Sequence, residues 1–522
     1  MPSLPSSQFP RHPSLSLTME TSDTKHRPSA DEKRRPSDLG IVETYTEEEE
    51  KALVRKIDTV ILPFMCLVFL LQYLDKQSLS YAGVFGLIED LELSNSQYSW
   101  CSSIFYVGQL VAEYPFIYLM SRLPLTKFVG VTVILWGISC TCLAAPQNYA
   151  GFAAVRFLLG FTEGAVSPAF VTITSIWWRK HEHASRTALW VSMNGIAQTL
   201  GCLLMYGIGK NTTRALAPWR TLFLICGIIT TASGVGFFTL MPSGPSDAWF
   251  LSPREKHVLS LRMAKDREGG DKTSFSLPQL KETMLDPKAW CVFWFGVLVT
   301  MQSPVLTFAT LVINSIGYTQ LQTMLYTAPS GAVQVGLLWV GLILCYIFPR
   351  QRTLVVLLLC IPPIVGTILM LVLPLSSGWA LIGAAWLASC ISASMSVLLS
   401  LVASNVKGNT KRAIVNAMFF IGYCAGCIAS PQLWTNRPKY LEGLITALVT
   451  WGLLIFTTVV YRLLCMRDNK GREREATGIS GGSGLESGLE SAGVGHGQEL
   501  DMNGSPYTDL TDKQDRAFRY SW

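Results

Sequence analysis

The sequence predicts an all-α membrane protein of twelve transmembrane helices in two six-helix bundles. Three observations carry that prediction. The 522-residue chain is 49% hydrophobic and only 15% charged, and apolar runs of spanning length recur evenly from residue 58 to residue 464. A long polar stretch, Pro242–Lys288, divides these runs into six and six. Lys and Arg gather in alternate loops, which by the positive-inside rule places both chain ends in the cytosol.

Met1–Gly40 is rich in Ser, Pro and charge and cannot bury enough apolar surface to fold alone, so residues 1–57 are expected to be a disordered cytosolic segment. This segment carries no apolar run of the kind a cleavable signal peptide needs, and the first span should itself direct insertion. Residues 58–241 form the first six-helix unit, with spans near 58–80, 97–119, 126–146, 151–177, 187–209 and 219–241. Residues 242–288 form a cytosolic connector. The second unit, 289–464, has spans near 289–313, 322–347, 353–374, 379–403, 411–434 and 441–464. Residues 465–522 turn Gly-, Ser- and Glu-rich and read as a flexible cytosolic tail, ending in DLTDKQDRAFRYSW, a charged and aromatic segment that could dock on the cytosolic face.

Ionisable residues inside the spans are the candidates for function, because each costs on the order of 2.5–3.5 kcal/mol at the helix centre. The fourth span, GFAAVRFLLGFTEGAVSPAFVTITSIWW, carries Arg156 and Glu163. Seven residues at about 100° each bring both to one helix face, roughly 10 Å apart along the axis. That face is either a seam of small residues with a structural ion pair or a water-accessible pathway. The first span ends in QYLDKQSLSYA, which puts Asp75 and Lys76 in the outer half of the bilayer at a depth comparable to Arg156. The depth match predicts an Asp75–Arg156 contact, with Lys76 turned about 100° away and open to another partner; the alternative is a pair sitting at the interface. Gln109 and Glu113 lie in the second span, where Glu113 is as well suited to snorkelling as to transport.

The second unit is nearly free of charge away from its span ends. It offers amides, hydroxyls and aromatics such as Gln302, Asn314, Trp386, Ser389, Asn405, Asn416 and Tyr423, which can shape a pocket but cannot neutralise a charge. The sequon Asn211-Thr212-Thr213 follows the fifth span so closely that the membrane edge disfavours glycosylation of Asn211. Most of the 13 cysteines lie within apolar runs and read as reduced packing residues. No Cys/His spacing resembles a metal site, no cofactor motif occurs, and no nucleophile–base constellation suggests an enzyme. The net charge of +6 gathers at membrane edges and requires no nucleic-acid partner.

Several strings carry a resemblance: RKIDTVILP before the first span, YLDKQSLSYA at its end, RFLLGFTEGAVSP in the fourth, NVKGNTKRAIVNAMFFIGYCAG around the eleventh, and DLTDKQDRAFRY near the C-terminus. Together they resemble the anion:cation symporter branch of the major facilitator superfamily, and more narrowly the fungal allantoate permease-like transporters. The resemblance implies proton-coupled uptake of a small organic anion, a carboxylate, ureide or vitamin; a monomer in the plasma membrane is expected, with an internal membrane as the alternative. It implies proton coupling by Asp75 and Glu163 with Arg156 as their partner, a substrate contact at the Lys76 position and a pocket-lining Tyr73; Gln109, Asn416 and Tyr423 are expected to complete the substrate seat. Lys76 stands where most relatives have Arg, keeping the charge but losing the bidentate fork. Gln109 stands where relatives often have Tyr, and Cys427 where they often have Asn, so the substrate is expected to differ from those of familiar members. Proton-antiport efflux of a secondary metabolite and a transporter-derived receptor remain as alternatives.

Overall fold

A computed structural model describes residues 45–211, 215–264, 276–315, 317–434, 440–480 and 509–522, with the side chains of residues 180 and 476–480 excepted. Thr212 and Thr213 of the sequon lie outside the described residues, while Asn211 is exposed at the end of its helix. Among the described residues there are only helices, turns and coil. Among the described residues, eleven helices are long and apolar enough to cross a membrane. The remaining expected span, Asn95–Arg122, is a 28-residue helix. It is less apolar than the others because it carries polar residues such as Ser103, Gln109 and Glu113.

Helix ends follow local chemistry. Ser94 and Gln97 form a capping box at the start of the second span, and the Asn148 side chain accepts from the Gly151 N–H at the start of the fourth. The first helix, Glu47–Val84, begins well before residue 58 because four glutamates fill its first turn and the buried Leu53 and Ile57 anchor it. At the other end the last helix, Leu441–Ser480, runs past residue 464. Prolines interrupt the long spans. Pro168 cannot donate to the carbonyl of Gly164, and the fourth span divides into Tyr149–Glu163 and Val166–Trp177. Pro304 stands in the same relation to Thr300, where the seventh span divides into Pro287–Thr300 and Pro304–Ser315.

The helices pair in a repeated scheme. The third span packs on the sixth, the second on the fourth and the first on the fifth; the same pairings recur as ninth on twelfth, eighth on tenth and seventh on eleventh. Small residues set the closest approaches. A Cβ on Gly160 would overlap the Phe105 carbonyl, and one on Gly108 the Phe157 carbonyl, so the second and fourth spans meet backbone to backbone.

The two sets meet through the first and seventh, second and eleventh, and fifth and eighth spans. Their contacts concentrate at the face away from the connector. Ser80 donates to the Thr307 carbonyl at 2.7 Å, Ser103 to that of Ile428 at 2.7 Å and Thr199 to that of Ala328 at 2.9 Å. Phe308 packs against Tyr98 and Trp434, with ring centroids 5.9 and 5.4 Å apart. Gly195 and Gly331 approach so closely that a Cβ on either would strike the other's carbonyl.

Candidate functional site: a charged seat at the closed end of a central cavity

Between the two helix sets lies a cavity of about 2990 Å³. Its lining reaches Pro245, His257 and Ser260 of the connector and Asn409 at the start of the eleventh span, so it opens toward the connector face. The contacts just described close its other end.

The first span supplies the centre of the site. Lys76 lines the cavity, and its Nζ lies 3.0 Å from Glu163 Oε1. Glu163 is fully buried, does not line the cavity, and sits at the helix end created by the Pro168 break. The ammonium therefore stands between the carboxylate and the open space. Gln72, one turn before Lys76, lies beside Glu163, and Phe105 offers its ring to the ammonium at 5.9 Å.

Asp75 and Arg156 do not form the contact that helix depth predicted. Asp75 is fully buried and its carboxylate oxygens have no hydrogen-bond partner. It turns instead toward Trp136 and Cys140 of the third span. Arg156 also lacks partners at Nε and Nη2, and its guanidinium lies against the Phe152 and Phe223 rings, 5.7 and 5.8 Å from their centroids. Equal depth gave no contact because Asp75 points away from the cavity that Arg156 lines. Lys76, expected to turn away from Asp75 and open to another partner, finds that partner in Glu163.

Tyr73, Gln109, Asn416 and Tyr423 all line the cavity, as does Glu113. Gln109 is 7% exposed and its Oε1 has no partner. Other polar groups of the second set serve the packing. Gln302 donates to Thr450 at 2.7 Å, Trp386 to the Tyr326 carbonyl at 2.7 Å and Asn405 to Tyr461 at 3.1 Å. Sequence reasoning missed Tyr106, whose ring lies 6.2 Å from that of Tyr423 across the cavity, and Gln72, whose i−4 spacing from Lys76 was an available signal. Among the described residues no cluster of His, Cys, Asp or Glu could hold a metal ion.

The sequence pattern of the Major Facilitator Superfamily matches residues 65–431. An uncharacterised transporter of Schizosaccharomyces pombe is 33% identical over 92% of this chain and 89% of its own. The allantoate permease of Saccharomyces cerevisiae is 30% identical over 91% of this chain and 87% of its own. Among solved structures, the fold is similar to a bacterial homologue of the lysosomal transporter Spinster in an inward-facing, unoccupied conformation. That likeness has a TM-score of 0.57 at 14% identity, covering 80% of this chain and 97% of the other.

Proposed function

Because the chain belongs to the major facilitator superfamily, we propose that it takes up a small organic anion together with a proton by alternating access. The observation that carries this reading is the Lys76–Glu163 pair, 3.0 Å apart with the cation toward the cavity and the acid behind it. One ammonium cannot serve two carboxylates equally. A substrate carboxylate that draws Lys76 away leaves Glu163 as a buried, uncompensated anion, which is costly unless a proton arrives. Protonation of Glu163 conversely frees Lys76 for the substrate. Anion and proton thus favour each other's binding by competing for one partner, and the linkage is reciprocal.

Arg156, also in the lining, adds positive potential to the seat, and Asp75 is a second group placed to take a proton. Tyr73, Gln109, Asn416 and Tyr423 supply polar contacts that would orient the bound anion. The similarity to an allantoate permease supports ureides, carboxylated vitamins and related carboxylates as the substrate class. We place the protein in the fungal plasma membrane as a monomer, with the connector and both termini in the cytosol. The basic residues of the connector-side loops support that orientation.

The test is uptake of a panel of radiolabelled carboxylates in a strain lacking the transporter and in the same strain expressing it, with and without a protonophore. Expression-dependent accumulation that collapses with the protonophore is the expected result. Accumulation that persists unchanged would sink proton coupling, and export of a preloaded anion would reverse the direction.

A further inference from the structure

The last fourteen residues are docked, and the way they are held is that of a peptide in a binding site. Asn405, at the end of the tenth span, donates to the Ser521 carbonyl at 2.7 Å and accepts from the Ser521 N–H at 2.8 Å. Asn469, on the cytosolic extension of the twelfth span, treats Tyr520 in the same way, at 2.9 and 3.0 Å. Two carboxamides thus each read the backbone N–H and C=O of one residue by a reciprocal pair of bonds, as a neighbouring strand would.

Side chains add sequence selectivity. Asp512 lies 2.9 Å from Lys411 and accepts from the Tyr520 hydroxyl at 2.6 Å. The Lys288 ammonium lies 3.5 Å from the centroid of the Tyr520 ring, which is 3% exposed. Lys411 is itself 2% exposed and also meets Glu282 and Asp286 at 2.8 and 3.0 Å. The segment thus enters a nearly buried charge network at the helix ends, in which Lys411 and Lys288 already meet Glu282, Asp286 and Asp468, and it adds one acid, Asp512, on Lys411 and one cation, Lys513, 3.5 Å from Asp286.

We propose that the connector face of the second bundle is a peptide-binding site whose ligand is the chain's own C-terminal segment, and that docking fixes the turn between the tenth and eleventh spans at the rim of the cavity. Ser404 and Asn409 line the cavity and are held from behind, by Ser521 at 3.0 Å and Asp509 at 2.9 Å. Between them lies Gly408, at φ +97°, where a Cβ would come within 3.2 Å of Thr511. Every hydrogen bond and ion pair described from the segment to the rest of the chain ends on the second set of spans, its loops or the connector helix Leu277–Met284. The clamp therefore travels with one bundle and stays closed through the cycle, keeping four helix ends together while the bundle rocks. Its ligand chemistry is a charge-balanced peptide, three aspartates against Lys513, Arg516 and Arg519, with aromatic residues at alternate positions 518, 520 and 522.

The rate readout rests on the transport reading above; the docking readout does not. The full-length protein carries a photoreactive benzoylphenylalanine in place of Phe518, whose side chain packs against the second-bundle core. Light should tether the tail to that bundle, and Asp512→Ala with Tyr520→Ala should abolish most of the tethering. The same double variant should lower the maximal transport rate several-fold while leaving KM unchanged, because the seat lies at the far end of the cavity. A synthetic peptide of residues 509–522, added from the connector side, should restore the rate, and a scrambled peptide should not; rescue shows that the variant is folded. Tethering that survives the double substitution would overturn the recognition, and a lost tether with an undiminished rate would overturn the role. Lack of rescue with a reduced rate would also count against the clamp. An anion that never accumulates would instead sink the transport reading and leave the docking result standing.

Discussion

At the scale of single residues, the task proposed for each charge rests on its position relative to the cavity. Glu163→Gln keeps the shape of the buried side chain and removes the proposed proton site. Proton-driven accumulation should be lost while exchange of internal for external substrate continues, and a variant that still concentrates substrate with unchanged pH dependence would refute the assignment. Lys76→Ala should raise the apparent KM about tenfold or more, since charge-assisted hydrogen bonds contribute about 1.5–3 kcal/mol. Lys76→Arg retains the charge and should alter selectivity among carboxylates more than overall rate. A double-mutant cycle separates the two pairings. Lys76→Ala with Glu163→Gln should show a coupling of about 0.5–3 kcal/mol in kcat/KM, larger than that of Asp75→Asn with Arg156→Ala, which form no ion pair in the structure. The reverse order would return Arg156 to the centre of the mechanism.

Among helices, close approaches within a bundle and between bundles should respond differently to the same substitution. Gly160 packs inside the first bundle against Phe105, so Gly160→Ala must separate two paired helices. Overpacking of this kind costs about 1–3 kcal/mol or more, and a fall in melting temperature in detergent is the expected result. Gly331 meets Gly195 across the closed end of the cavity. Gly331→Ala should leave the melting temperature near wild type but prop that end open, reducing labelling of cavity residues from the connector side. Equal destabilisation by both would mean that the Gly331–Gly195 contact belongs to a rigid core. The same contrast explains what the sequence disclosed. Apolar periodicity located the spans and put Arg156 and Glu163 on one helix, but it could not report how the first span is rotated against the third and fourth. Asp75 was therefore assigned to Arg156, and Lys76 was left without its acid. The helix break after Glu163 is caused by a proline several residues later in an unbroken apolar run, where hydropathy is blind to it. Asn405 looked like a pocket amide because nothing local reveals that its partner is Ser521.

For the whole molecule, the ion pairs on the connector face predict a lower limit to the pH range of stability. Burial opposes ionisation of Glu182, but its hydrogen bond from Arg262 and the Arg179 N–H outweigh that effect and hold its carboxyl below the ordinary value. The bond from Lys407 holds Asp515 low in the same way. A depressed folded-state pKa contributes stability that is present above the unfolded value, about 4 for these carboxyls, and lost as pH falls through the folded one. The melting temperature of the purified protein should accordingly be flat from neutral pH down to about 5 and drop below about 4; a decline beginning near neutrality would point to groups other than these. At the closed end the acid lies behind the ammonium proposed to seat the cargo. On that proposal a seated anion corks the compartment behind it. The passenger must step off before its proton can, so an idle, loaded carrier would not short-circuit the membrane, and an analogue too slow to leave would act as a stopper rather than as a simple rival.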